Sequence, residues 1–142
     1  MKIGTALSLL AVAATLSACS NKPASIVGAW KVAGMDLKPD SLVQPGMIDK
    51  EGLKKMRFNF NADSTVVISD GTQTPGKIKY TIEKTGSETF LVLRPEQAPS
   101  ADMQGGMPTE QRMRIIKQTA DKLDLEQKFD PYTFTTHLEA VR

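Results

Sequence analysis

Downstream of residue 55 the chain alternates apolar and polar side chains in short runs. Met56, Phe58 and Phe60 interleave with Arg57, Asn59 and Asn61, and Ile78, Tyr80 and Ile82 with Lys77, Lys79, Thr81 and Glu83. Further on, Leu123 and Leu125 alternate with Asp124 and Glu126, and Tyr132, Phe134, Thr136 and Leu138 with Thr133, Thr135, His137 and Glu139. Successive side chains of a strand point to opposite faces, so each run predicts a half-buried strand. Met113 and Ile115 mark another within 110–118, and residues 65–69 are β-branched and short. Residues 89–93 are apolar on both faces and predict a strand covered on both sides. Turn residues separate the runs: Asn61-Ala62-Asp63-Ser64, Asp70-Gly71, Thr85-Gly86, Ala120-Asp121-Lys122 and Phe129-Asp130-Pro131.

Upstream, residues 26–33 alternate in the same period, with Ile26, Gly28, Trp30 and Val32 on one face. Residues 35–46 hold Pro39 and Pro45 and predict a loop. Residues 48–55, with Ile48, Leu53 and Met56 near helical spacing, predict a short helix that Gly52 weakens. The sum is eight strands and one short helix. That pattern fits an all-β fold, an eight-stranded antiparallel up-and-down barrel whose closure removes exposed edges. A split β-sandwich is the competing architecture. Residues 94–109, with Pro95, Pro99, Met103, Gly105, Gly106, Met107 and Pro108, are the longest irregular stretch and are expected to lie across a barrel mouth.

Gly28-Ala29-Trp30 resembles the Gly-x-Trp that opens the first strand of lipocalin-like domains, where the tryptophan closes one end of the barrel. Gly28 shares a face with Trp30, and its missing side chain is expected to leave room for the indole. The resemblance implies a lipocalin-like domain over residues 26–142, with a short helix over one mouth and an arginine covering the tryptophan. Arg112, Arg114 and Arg142 are the candidates for that arginine. An eight-stranded barrel is just wide enough to be filled by its own side chains or to hold one small ligand. The predicted inner wall is apolar, and Trp30, Met56, Phe58, Phe60, Ile78, Tyr80, Met113, Ile115 and Phe134 are its candidate contacts to a small hydrophobic ligand. Val66, Ile68, Ile82, Leu123 and Leu125 complete that wall. The alternative is structural: the same residues fill the barrel, and the protein acts through its outer surface on another envelope protein.

The first eighteen residues read differently. Lys2 is the only charge before an apolar run from Ile3 to Ala18, too short for the roughly 20 residues a spanning helix needs. That is the layout of a secretory signal. Its end, Leu16-Ser17-Ala18-Cys19, resembles the lipobox of bacterial lipoproteins. The resemblance implies removal of residues 1–18 and lipidation of Cys19, with 19–25 a linker carrying Pro23. Position 20 is Ser rather than Asp, which by the same resemblance favours the outer membrane, facing the periplasm. Cys19 is the only cysteine, so no intramolecular disulfide can form.

Charge and chemistry narrow the function. The sequence has 18 Lys and Arg against 16 Asp and Glu, and without Lys2 the balance is +1. No basic cluster of the kind nucleic acid requires is present. With His137 the single histidine and the thiol of the single cysteine taken by lipidation, a zinc site of His and Cys ligands lacks the donors it needs. Gly-x-Ser-x-Gly is absent, and Gly105-Gly106 does not follow a phosphate-loop pattern. Met103 and Met107 with His137 offer soft donors for Cu(I), but a flexible apolar lid explains the two methionines as well. The acids sit in turns, where Asp bonds its own backbone. The reading is therefore a binding module rather than an enzyme, with no cofactor and no metal.

Overall fold

Eight strands pair in chain order and the last returns to the first, closing an antiparallel barrel. The computed structural model describes residues 24–71, 76–96 and 110–142. The strands are β1 (Gly28–Lys38), β2 (Arg57–Phe60), β3 (Thr65–Ser69), β4 (Lys77–Thr85), β5 (Glu88–Pro95), β6 (Gln111–Gln118), β7 (Lys122–Phe129) and β8 (Tyr132–Ala140). Helix α1 (Lys50–Lys55) and a 3-10 turn at Asp40–Leu42 lie between β1 and β2. The closing seam pairs β1 with β8, from Trp30 opposite Ala140 to Lys38 opposite Thr133. The sandwich alternative is thereby excluded. Signal residues 1–18, Cys19 and most of the linker lie outside the described residues, as do Met103 and Met107.

β1 is longer than its alternation suggests. Residues 35–38, expected in a loop, belong to the strand, and only 39–46 remain irregular. The cause is a bulge between Val32 and Gly34. One extra residue moves the buried phase from Trp30 and Val32 to Leu37, so a strict period of two breaks there. A second bulge between Ile115 and Lys117 turns Ile116 outward, leaving it 46% exposed. Arg94 and Pro95, expected in the long loop, are the end of β5. Ile82 was expected on the inner wall, yet it is 44% exposed. β4 pairs with β3 only over Lys77–Lys79, so the β4–β5 hairpin overruns the barrel and Ile82 has no strand on one side.

The interior is filled at the end where Trp30 lies. Val66, Leu91 and Leu123 keep no accessible area, which a side chain bordering a water-sized void would retain. Phe60 meets Tyr80 edge to face, ring centroids 5.2 Å apart, and stacks beside Phe58. The Tyr80 hydroxyl donates to the Asn61 carbonyl at 3.0 Å. Burial, and then the nearby Asp63 carboxylate, push its pKa above the usual phenol value. Trp30 is 2% exposed and its Nε1–H donates to the Ile26 carbonyl at 2.8 Å. Gly28 does not make room for the indole: a Cβ there would meet nothing within 4 Å. Its φ of +138° is the constraint, a backbone conformation that side-chain-bearing residues rarely adopt.

The up-and-down order sorts the connections to two ends. At the Trp30 end lie the entering chain, the turns at 61–64, 86–87 and 119–121, and the C-terminus. At the other end lie the 39–56 connection with α1, the tight turn between β7 and β8, and the strand termini Ser69, Lys77, Pro95 and Gln111.

Candidate functional site

α1 is only six residues long, too short to hold itself in water, so its neighbours must fix it. Asp49 caps its start: one carboxylate oxygen accepts from Glu51 N–H at 3.1 Å and Gly52 N–H at 3.0 Å. A Cβ on Gly52 would collide with that same carboxylate, so the glycine that weakens the helix by propensity permits its cap. Arg57 closes the other end, donating to the carbonyls of Lys54 at 2.7 Å and Met56 at 2.9 Å. Val32 N–H donates to the Met56 carbonyl at 3.3 Å, and Leu53 packs on the core. The helix is thus pinned beside β1 at the unfilled end of the barrel.

Between α1 and the rim lies an open cleft of about 350 Å³ lined by Met35, Met47, Ile48, Leu53, Met56 and Phe134, with Asp49, Gly52 and Asp70 at its edge. Phe134 is held at an angle by two other aromatics, Phe129 at 5.8 Å and Tyr132 at 6.3 Å between centroids. The thioethers of Met35, Met47 and Met56 give this lining adaptable shape.

Beside it, outside the wall, a second cleft of about 290 Å³ runs from the β1 bulge to Lys50 and Lys54 and ends at His137. His137 bridges three strands. Its Nε2 lies 3.0 Å from Asp36 on β1, and its Nδ1 lies 2.9 Å from Asp124 on β7. Hydrogen bonding to Asp36 first, and to Asp124 second, raises its pKa above the ordinary imidazole value of 6.5. No group of three metal-binding side chains occurs among the described residues.

The outer face of β4 to β7 carries a charged ladder. Arg94 bonds Glu83 at 3.0 Å, Glu110 at 2.9 Å and the Thr81 hydroxyl at 2.9 Å. Arg112 bonds Glu83 at 2.9 Å and lies over the Phe90 ring, 4.2 Å from its centroid. Arg114 joins Glu88 at 2.7 Å and Glu126 at 2.8 Å. Beneath this ladder Val92 is fully buried, which is how β5 comes to be covered on both faces. The Arg94 hydrogen bond, foremost, holds the Glu83 carboxyl below the usual range. Of the three candidate arginines, Arg112 takes Phe90, Arg114 its two glutamates, and Arg142 reaches Asp121 at 3.9 Å; none makes a cation–π contact with Trp30.

Eight of the nine candidate wall residues lie on strands and Met56 just before β2, all lining one interior or its rim, but at two depths. Trp30, Phe58, Phe60, Tyr80 and Met113 are buried in the packed core. Ile78 and Ile115 are partly buried against that core, while Met56 and Phe134 reach the open cleft. Met35, Met47, Ile48 and Leu53, which also line it, were not among the nine candidate contacts, although Ile48 and Leu53 had marked the expected helix. The bulge hid the strand phase of Met35, and the other three belong to the connection rather than to any strand. No helix among the described residues is long and apolar enough to cross a membrane.

Fold and mouth together define a small closed up-and-down β-barrel with Trp30 buried at one end and a short helix beside an open cleft at the other. Among solved structures the chain is similar to a lipocalin-like protein from Bacteroides uniformis ATCC 8492, at 14% identity and a TM-score of 0.47, over 81% of this chain and 97% of that one. No family model and no curated protein matches the chain.

Proposed function

We propose that this is a lipid-anchored binding module, held by Cys19 to the outer membrane on its periplasmic side, which takes one small hydrophobic molecule at the barrel mouth. The observation that carries the binding half is the apolar cleft under α1, whose volume of about 350 Å³ falls in the range of small-ligand sites. The ligand lies against Phe134, Leu53 and the three methionines rather than deep in the barrel, where side chains already occupy the space. The module binds without catalysis: both ring nitrogens of His137 are engaged by carboxylates, which leaves no free nitrogen to act as a base.

The anchoring half rests on the lipobox resemblance of Leu16-Ser17-Ala18-Cys19. Two acyl signals suffice for stable attachment. Globomycin should make the lipidated, uncleaved precursor accumulate, and Cys19→Ser should release the protein from the membrane fraction. Protein that still pellets like wild type refutes the anchor.

Native mass spectrometry of the chain expressed without residues 1–19 tests the ligand. A co-purified apolar molecule, displaced by a fatty-acid probe, is the expected result. The packed core also favours a second reading, a filled barrel that acts on another envelope protein through its outer face. A chain that carries no ligand and takes up no probe selects that reading.

A further inference from the structure

The exposed large apolar side chains fall into two groups at opposite ends of the barrel. Leu42, Val43, Met47 and Phe129 belong to the mouth, whereas Val27, Ile82, Ile116 and Val141 lie toward the Trp30 end. Val27 and Val141 flank the start of β1, where the chain enters, while Ile82 and Ile116 stand on β4 and β6 toward the same end. There the side-chain amide of Gln118, the last residue of β6, donates to the Ala24 carbonyl, and Val141 N–H donates to the Ala29 carbonyl at 2.8 Å. Three exposed lysines stand among them, Lys84, Lys117 and Lys122, with no ion pair among the described residues. The acids of that end are engaged: Asp121 with Arg142 at 3.9 Å, Glu88 with Arg114 at 2.7 Å, and Asp63 by the Thr65 hydroxyl at 2.5 Å.

We propose that this closed end rests on the surface of the bilayer that holds the Cys19 lipid, so that the mouth and its cleft face away from that bilayer. The inference rests on the anchor reading above. Ala24 stands five positions after Cys19 in the sequence, and five residues span at most about 18 Å whatever their path. That tether cannot carry the opposite end of the barrel to the membrane. It brings the entry end down, and four aliphatic side chains with unpaired lysines are what an interface of acyl chains and anionic headgroups accommodates. A bound molecule is then exchanged with the aqueous side and not directly with the anchoring leaflet.

The test uses the full lipidated chain in vesicles of phosphatidylethanolamine and phosphatidylglycerol. Cys19 is the sole cysteine and its thiol is consumed by the lipid, so Ile116→Cys, Val141→Cys, Leu42→Cys and Phe129→Cys can each carry one environment-sensitive dye. Nitroxide lipids should quench the dyes at 116 and 141 and leave those at 42 and 129 bright. Exchange of Lys84, Lys117 and Lys122 for Glu should weaken the quenching at 116 and 141. Quenching at the mouth, or at none of the four positions, overturns the orientation. Dyes at 116 and 141 that are shielded from aqueous iodide yet unquenched by lipid mark a second copy or a protein partner there, and also overturn it. Intact mass measured on the same sample separates the two readings. An unlipidated Cys19 overturns the anchor and this orientation together, whereas a lipidated chain with the wrong quenching pattern overturns the orientation alone.

Discussion

The indole N–H of Trp30 donates to the carbonyl of Ile26, 2.8 Å away and four residues back along the same chain. This bond ties the entering segment to the first strand and supplies the only polar demand of the barrel's closed end that the indole makes. Trp30→Phe deletes the donor and leaves a buried carbonyl without its partner, at a cost of about 1–3 kcal/mol. Trp30→Ala adds a cavity and should cost about 3–5 kcal/mol. Urea unfolding should show a lowered midpoint for both variants with an unchanged m-value.

Phe134 and Phe60 should separate binding from stability. Phe134 is half-buried at the cleft, and burying a phenyl group against a ligand is worth about 1.5–3 kcal/mol, so Phe134→Ala should weaken uptake of a fluorescent fatty-acid probe by about tenfold or more. Phe60 is 2% exposed in the packed end, and Phe60→Ala should cost about 3–5 kcal/mol of stability. Its probe affinity, measured under conditions where the variant remains folded, should be close to wild type. The opposite pattern would move the site into the barrel interior.

His137 predicts a pH dependence of stability. Only the imidazolium donates at both nitrogens, to Asp36 and to Asp124, and the folded pKa is raised above 6.5. Its stabilisation is therefore complete below the ordinary imidazole value and is lost as pH rises through the raised folded value. Lys50 and Lys54 of α1 line the same cleft and act in the opposite direction on the imidazolium. The His137 side chain is 36% exposed, so solvent screening keeps the effect small. Wild type should lose stability relative to His137→Gln as pH is raised from 6 to 9. Parallel pH profiles for the two proteins would remove the histidine from the account.

Arg112 should matter more for its stem and its flat face than for its charge. It lies on Phe90 and stands directly across from the buried Val92 in the β5–β6 register. Exposed ion pairs contribute about 0–1 kcal/mol, and salt screens them. Arg112→Ala should cost about 1 kcal/mol or more at 0.5 M salt as well as at low salt, because packing and cation–π contact persist there. Arg112→Lys should restore only part of the loss, since an ammonium cannot bridge Glu83 and stack on Phe90 together. A loss confined to low salt would show that the ladder acts through charge alone.

Much of the barrel was legible because its strands obey a period of two. Thr65–Ser69 matches its predicted span, and Tyr132, Phe134 and Leu138 were read onto the face they occupy. What misled was phase and overrun. Strict alternation ends at the β1 bulge, so Leu37, 4% exposed, was placed in a loop. Ile82 carries the alternation of a wall residue, but a strand's own sequence does not say where its neighbour stops. The mouth was the least legible part. Its helix depends on a cap by Asp49 that tolerates Gly52, and propensity alone weighs only the glycine. An Asp three residues before the glycine was the available signal.

The seam between β1 and β8 sets a condition on how this molecule is made. Seven of the eight strand pairings join neighbours in sequence, but Trp30 and Lys31, which meet Phe58 and Arg57 of β2 on one side, find their partners on the other side only in Ala140 and Glu139 of β8. A polypeptide delivered from its amino end can build hairpins as it emerges, yet it cannot shut the cylinder until β8, Tyr132–Ala140, arrives. Until then both margins of the growing sheet stay unsatisfied, which makes β8, the last strand of the barrel to be synthesised, the latch and a stop before it an invitation to edge-to-edge aggregation.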